Sequence, residues 1–189
     1  MSGPRPLGAA LVAAVLLAVA ACGGGGGSGG GVTPPPPPPP PSQGITFTTA
    51  SGASTNVVAL RSVGQTGTRI TLEVRAEVVT GLYGVAFDLT YPTSLFRLTS
   101  RSEGSFLSQS GADDTTFQAV ETTPGTVVVG ISRLGPLSGA SGSGPLITLV
   151  FDAIANGSGN FSFSRNQAFA AEGTPLGVGW LGGSAQVAL

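Results

Sequence analysis

The chain has no histidine, no lysine and a single cysteine, Cys22. Without an imidazole there is no Ser-His-Asp or Cys-His nucleophile, no His-ligated zinc and no ordinary general base near neutral pH. One thiol cannot close an intrachain disulfide or build a thiolate metal cluster. A folded domain must therefore rest on apolar burial and backbone hydrogen bonding. Charge is sparse as well: 9% of residues are charged and the net charge is -1. The eight basic residues are all arginines and are scattered, so no basic stripe exists to meet phosphate, which argues against a nucleic-acid partner. Long amphipathic helical spacing is missing too. What the chain has in quantity is apolar or small: 41% hydrophobic residues, with 31 glycines and 15 prolines. That is too apolar and too weakly charged for a disordered polyelectrolyte.

Residues 1–21 read as a secretion signal. Arg5 and the amino group supply a short positive region, and Leu7 to Ala20 is apolar but shorter than the roughly 20 residues of a membrane span. The stretch ends Leu17-Ala18-Val19-Ala20-Ala21-Cys22, small residues before a cysteine, and resembles a bacterial lipobox. That resemblance makes Cys22 the first mature residue, carrying acyl chains on its sulfur and amine that anchor it to a membrane. The other reading is a plain secretory signal with Cys22 incidental. Gly23 stands where an aspartate would signal inner-membrane retention, so the expected location is the outer membrane or cell surface. Residues 22–44 then form a linker. Gly23–Gly31 is a flexible coil, and Pro34–Pro41 is a proline run that must be extended polyproline II, a semi-rigid spacer of roughly 25 Å.

From residue 45 to 189 the pattern has period two, over about 145 residues, enough for one core and not for two. In Arg69–Val78 the residues Ile70, Leu72, Val74, Ala76 and Val78 point one way, and Arg69, Thr71, Glu73, Arg75 and Glu77 the other. In Leu82–Tyr91 the inward set is Val85, Phe87, Leu89 and Tyr91, and the outward set Gly84, Ala86, Asp88 and Thr90. Further strands are expected over Asn56–Val63, Phe96–Ser100, Thr116–Glu121, Thr126–Ser132, Pro145–Ala153, Asn160–Ser164 and Ser184–Leu189, separated by glycine and proline breakers. Residues 135–144 read as a flexible surface crossover. Many short strands at this spacing predict an all-β fold, a jelly-roll β-sandwich of about nine strands.

At this point the residues resemble a cohesin domain, of the bacterial cellulosome type and related to cellulose-binding-module jelly rolls. The strongest piece is Gly81-Leu82-Tyr83-Gly84-Val85-Ala86-Phe87-Asp88-Leu89-Thr90-Tyr91-Pro92, followed by Leu95-Phe96-Arg97-Leu98. Gly125–Ser132, Gly144–Ala153, Phe161–Ser164 and the stretch from Phe169 to Gly173 come after it in the family's order. The resemblance implies a module that binds rather than catalyses. Cohesins capture dockerins, small helical modules with calcium loops, and so assemble polysaccharide-degrading enzymes; the calcium belongs to the dockerin. The resemblance places the partner-binding face on the strand after the Gly-hydrophobic turn, at Gly84, Ala86, Asp88 and Thr90. Type I cohesins carry an Asn and an Asp where this chain has Gly84 and Ala86, so either its contacts differ or its partner is another protein than a typical dockerin; a flat face of small residues can bind by shape and apolar contact. Asp88 and Thr90 otherwise read as solvated strand residues.

Other candidate sites are thin. Trp180, flanked by glycines, together with Tyr83, offers a sugar-stacking platform, which would make the chain a carbohydrate-binding module holding a cell to polysaccharide; the competing reading puts Trp180 in the core or at an edge. A third reading is a structural envelope lipoprotein. Asp113-Asp114 beside Ser110 and Thr115 presents oxygen ligands of the kind calcium takes, but an Asx-rich turn explains them equally, and no metal or cofactor is expected. Glu73, Glu77, Glu103 and Glu121 lack the pairing of a glycosidase site, so no enzyme is expected.

Overall fold

A computed structural model describes residues 44–108 and 114–189. The fold is a β-sandwich. The strands are β1 (Gly44–Thr49), β2 (Val57–Thr66), β3 (Arg69–Leu82), β4 (Gly84–Thr90), β5 (Phe96–Glu103), β6 (Thr115–Thr123), β7 (Thr126–Arg133), β8 (Ala140–Ala153), β9 (Gly157–Phe169), β10 (Gly179–Leu181) and β11 (Gly183–Ala188). One sheet has the order β1-β11-β9-β4-β7-β6 and the other β10-β2-β3-β8-β5. Pairing is antiparallel except for the short β10, which runs parallel to β2. All nine expected strands are present. The period-two pattern missed β1 and β10, which are short and pair at sheet edges.

Alternation places the core. Ile70, Leu72, Val74 and Ala76 of β3 and Val85, Phe87 and Leu89 of β4 are buried, as is Tyr91 just beyond β4. Rings bridge the two sheets. Phe161 of β9 lies 5.3 Å from Phe151 of β8 and 5.5 Å from Phe96 of β5, with Phe47 of β1 at 5.7 Å. Edge-to-face pairs of this kind contribute about 0.5–1.5 kcal/mol each beyond their buried area.

Three local expectations are corrected. Val78 does not face inward. A bulge between Ala76 and Val79 shifts the register against β8, so Val79 is buried and Val78 is 56% exposed at φ 47°. The Leu82–Tyr91 strand is split: Leu82 closes β3, and Tyr83 carries the chain across to the other sheet after Gly81, whose φ of 69° suits the turn. Residues 135–144 are not wholly a crossover. Ala140 to Gly144 extend β8 along the far end of β3, pairing Ala140 with Leu82 and Gly142 with Val79.

Side chains of the second sheet reach both edges of the first. The Gln65 amide of β2, oriented to satisfy both groups, accepts from the Ile45 N–H at 2.7 Å and donates to the Ile45 carbonyl on β1. At the other edge, Arg101 Nε of β5 donates to the Ala119 carbonyl of β6 at 2.7 Å.

Val78 is a strained point of the fold. A β-branched residue in the left-handed region costs about 1–2 kcal/mol, and here little burial is gained in return. Val78→Asn is expected to stabilise the domain by about 1 kcal/mol, because Asn tolerates this conformation. Thermal denaturation should show a rise of about 2–4 °C.

Candidate functional site

β4 sits inside the six-stranded sheet, between β7 and β9, so its outward residues lie mid-face. Register aligns them in cross-strand rows. Gly84 faces Ser132 of β7 and Phe169 of β9; Ala86 faces Gly130 and Gln167; Asp88 faces Val128 and Ser164; Thr90 faces Thr126 and Ser162. β6 continues the rows with Thr116 opposite Ser132, Gln118 opposite Gly130 and Val120 opposite Val128.

Where Gly84, Ala86 and Gly130 meet, the sheet has almost no side chain. The result is a depression of about 580 Å³, walled by Tyr83, Phe169, Thr116, Gln118 and Ser132. Tyr83 is fixed there. Its N–H donates to the Phe169 carbonyl at 2.7 Å, its carbonyl accepts from the Arg133 N–H at 2.9 Å, and its hydroxyl donates to the Gly135 carbonyl at 2.7 Å. The glycines differ in origin. A Cβ on Gly84 would press on the Ile131 carbonyl and the Ser132 hydroxyl, each at 3.1 Å, so packing restricts this position. A Cβ on Gly130 would meet nothing within 4 Å. Glycine weakens a strand interior, and nothing in the fold requires one at Gly130.

The two outer faces differ in charge. Charged residues in β1, β11, β9, β4, β7 and β6 number four: Asp88, Glu121, Arg133 and Arg165. Arg133 is buried, and Glu121 accepts from the Gly125 N–H in the β6–β7 turn. The outer face therefore carries one ion pair, Arg165 with Asp88. The opposite sheet bears three: Arg61–Glu77 at 2.7 Å, Arg69–Asp152 at 2.8 Å and Arg75–Glu73 at 2.5 Å.

The family comparison covers most of this architecture. The cohesin domain family matches residues 55–174, well over half of the chain. The chain belongs to the cohesin family. No curated protein matches it. Among solved structures it is similar to a non-cellulosomal cohesin from the archaeon Archaeoglobus fulgidus, at 18% identity and a TM-score of 0.51, covering 74% of this chain and 88% of that one. It is similar to the sixth cohesin of scaffoldin B from Acetivibrio cellulolyticus, solved in complex with a dockerin mutant, at 15% identity and a TM-score of 0.53, covering 75% and 97%. A cohesin module of a family 33 glycoside hydrolase from Clostridium perfringens matches at 13% identity and a TM-score of 0.51, covering 77% and 97%. At these identities the likeness is one of fold.

On the cohesin framework the sequence-predicted residues separate. Gly84 and Ala86 line the depression, and Asp88 and Thr90 continue along the same face. Asp88 is not a solvated strand residue. It is 6% exposed, because Arg165 of β9 folds over it, with Nε 2.6 Å from Oδ2. A bulge in β9 makes this contact: the two-residue step of β4 from Ala86 to Asp88 is matched by the longer run of β9 from Gln167 to Ser164, and Arg165 has φ 47°. Tyr83 and Trp180 share no platform. Trp180 lies on β10, packed 5.5 Å from Phe87 and 5.3 Å from Phe163, and lines a different groove. Gly130 and Phe169 were missed as site residues. A glycine amid the β-branched run of β7 was the available signal.

The glutamates are dispersed in separate contacts. Glu73 and Glu77 pair with arginines, Glu103 accepts from the Thr115 hydroxyl at 2.5 Å, and Glu121 accepts from the Tyr91 hydroxyl at 2.6 Å and the Gly125 N–H at 3.0 Å. Among the described residues no cluster of three or more His, Cys, Asp or Glu could hold a metal. Cys22, Ser110 and Asp113 lie outside the described residues. No helix among the described residues is long and apolar enough to cross a membrane.

Burial and the Glu121 carboxylate push the Tyr91 hydroxyl up to about 12. The Tyr91 hydroxyl and the Gly125 N–H hold Glu121 below the usual carboxylate range. A carboxyl depressed in the folded state contributes stability that is complete above its unfolded value, about 4.3, and is lost as pH falls through the lower folded value. Glu121→Gln should therefore be less stable than the parent at neutral pH, with the difference closing as pH drops below about 4. Urea unfolding at the two pH values measures this.

Proposed function

We propose that this cohesin is a surface-held recruiting module that takes a dockerin-type protein on the outer face of its six-stranded sheet. Cohesin domains are protein-binding modules, and the Acetivibrio relative was solved with a dockerin bound. Secretion and anchoring through lipidated Cys22 on the outer membrane or cell surface, and a setting of polysaccharide breakdown, belong to the same proposal. The supports for these are the signal-like residues 1–21, the linker of residues 22–44 and the family itself.

Gly130 carries the reading. The fold tolerates a side chain there and the strand would gain from one, yet the position is bare and opens a depression beside Gly84 and Ala86. An opening of this kind suits an apolar side chain or a close-lying helix of a partner. Recognition then rests on shape and apolar contact rather than on the hydrogen bonds an Asn and Asp pair would supply. The buried Asp88, paired with Arg165, supplies the one charged landmark.

The test uses the full-length chain to capture proteins from an extract containing dockerin-bearing enzymes, with calcium and with chelator. Capture of a protein with duplicated calcium loops, lost in chelator, is the expected result. An empty lane overturns dockerin binding. With the captured partner in hand, Gly130→Arg should weaken binding by at least about 30-fold, as blocking a hot-spot pocket does. Its stability should stay within about 0.5 kcal/mol of the parent. Because the face is nearly uncharged, affinity should change less than about threefold between low salt and ~1 M NaCl.

A further inference from the structure

The groove that holds Trp180 shares no lining residue with the depression. It forms at the corner where the chain leaves β10 for β11, with a volume of about 610 Å³, within the usual range of ligand sites. Its lining contains no ionisable side chain. Neutral polar side chains line it, among them the five of Thr48, Ser162 and Ser184, with hydroxyls, and Asn160 and Asn166, with amides. None of the five side chains makes a hydrogen bond within the described residues.

The aromatic part of the wall is held in place. Trp180 is half-buried and gripped by Phe87 and Phe163, and Phe163 itself lines the groove. Gly182 and Gly183 at the corner are required by packing, since a Cβ would run into the Phe161 carbonyl and the Phe47 ring respectively. The β9 bulge adds a second element. Ser162 and Ser164 share the outer face with Gln167 and Phe169 only because an extra residue intervenes. That extra residue reverses the parity of Asn166 and brings it into the groove wall, at the cost of Arg165 in the left-handed region. Strain retained in a bulge beside a groove is a mark of a built site.

We propose that this groove is a second binding site of the domain and that it takes a neutral pyranoside with equatorial hydroxyls. Such a ring presents flat faces of axial C–H groups to an indole, while its hydroxyls, donors and acceptors at once, reach amides and hydroxyls at the perimeter. A phosphorylated or carboxylated ligand finds no cation in the lining. The site shares no residue with the Gly130 depression, so it stands or falls independently of partner recruitment.

Cellohexaose is the probe, titrated into the full-length chain by calorimetry while the emission of Trp180, the one tryptophan, is followed. Saturable binding with a Kd of about 10 μM to 1 mM is expected, with a change in tryptophan emission. Affinity should be unchanged from about pH 5 to about pH 8 and in ~1 M NaCl, because nothing in the lining titrates or carries charge. Asn166→Ala, which removes an amide that makes no hydrogen bond among the described residues, should keep the melting temperature and weaken binding at least about fivefold. Gly130→Arg should bind the sugar as the parent does. Absence of saturable binding up to about 10 mM cellohexaose overturns the proposal. So does binding that Asn166→Ala leaves intact, or binding that varies with ionic strength.

Discussion

Phe161 meets Phe151 edge to face across the interior at 5.3 Å, and the two sheets depend on that contact and the rings around it. A chain with one cysteine has no internal disulfide to join them. Apolar burial must carry the load, and aromatic rings carry the most per residue. The strand that provides Phe161 also provides the bulge at Arg165 and the outward Ser162 and Ser164. Packing and the contour of the outer face are thus set on one element. Any shift of β9 that disturbed the ring cluster would also misplace the cover over Asp88.

Charge is separated between the two faces. Arginines and acidic residues are concentrated on the five-stranded sheet, where they pair across and along strands. Exposed pairs of this kind contribute little to stability, about 0–1 kcal/mol each, but they keep that face wet. The six-stranded face is left nearly neutral, with small residues at its centre. On the proposed reading a surface like that discriminates by contour, and a bare strand position such as Gly130 is informative because a Cβ there would meet nothing within 4 Å.

Much of this was legible in the sequence. Strict alternation in Arg69–Ala76 set strand, face and core together, because period two admits one pleat orientation. The pattern failed at Val78, where a bulge inserts a residue and reverses the parity of the next positions; no local propensity announces it. It failed at β1 and β10 for another reason, since short edge strands are defined by their partners. Asp88 looked solvated because its cover comes from Arg165, 77 residues away. Alternation set Gly84 and Ala86 outward on one strand, but the depression needed Gly130 from β7, and only the register between β4 and β7 brings the three together.

The side chains that reach across to β1 and β6 have a consequence beyond closing the sandwich. Open sheet edges invite strand-by-strand polymerisation, and a chain displayed densely on a surface would meet its own copies often. Gln65 already occupies the N–H and the carbonyl of Ile45, and Arg101 occupies a carbonyl of Ala119. A strand adding to β1 or to β6 would have to displace the contact at that edge. The sheet that carries the depression thus has a side chain bonded to the backbone of each of its edge strands.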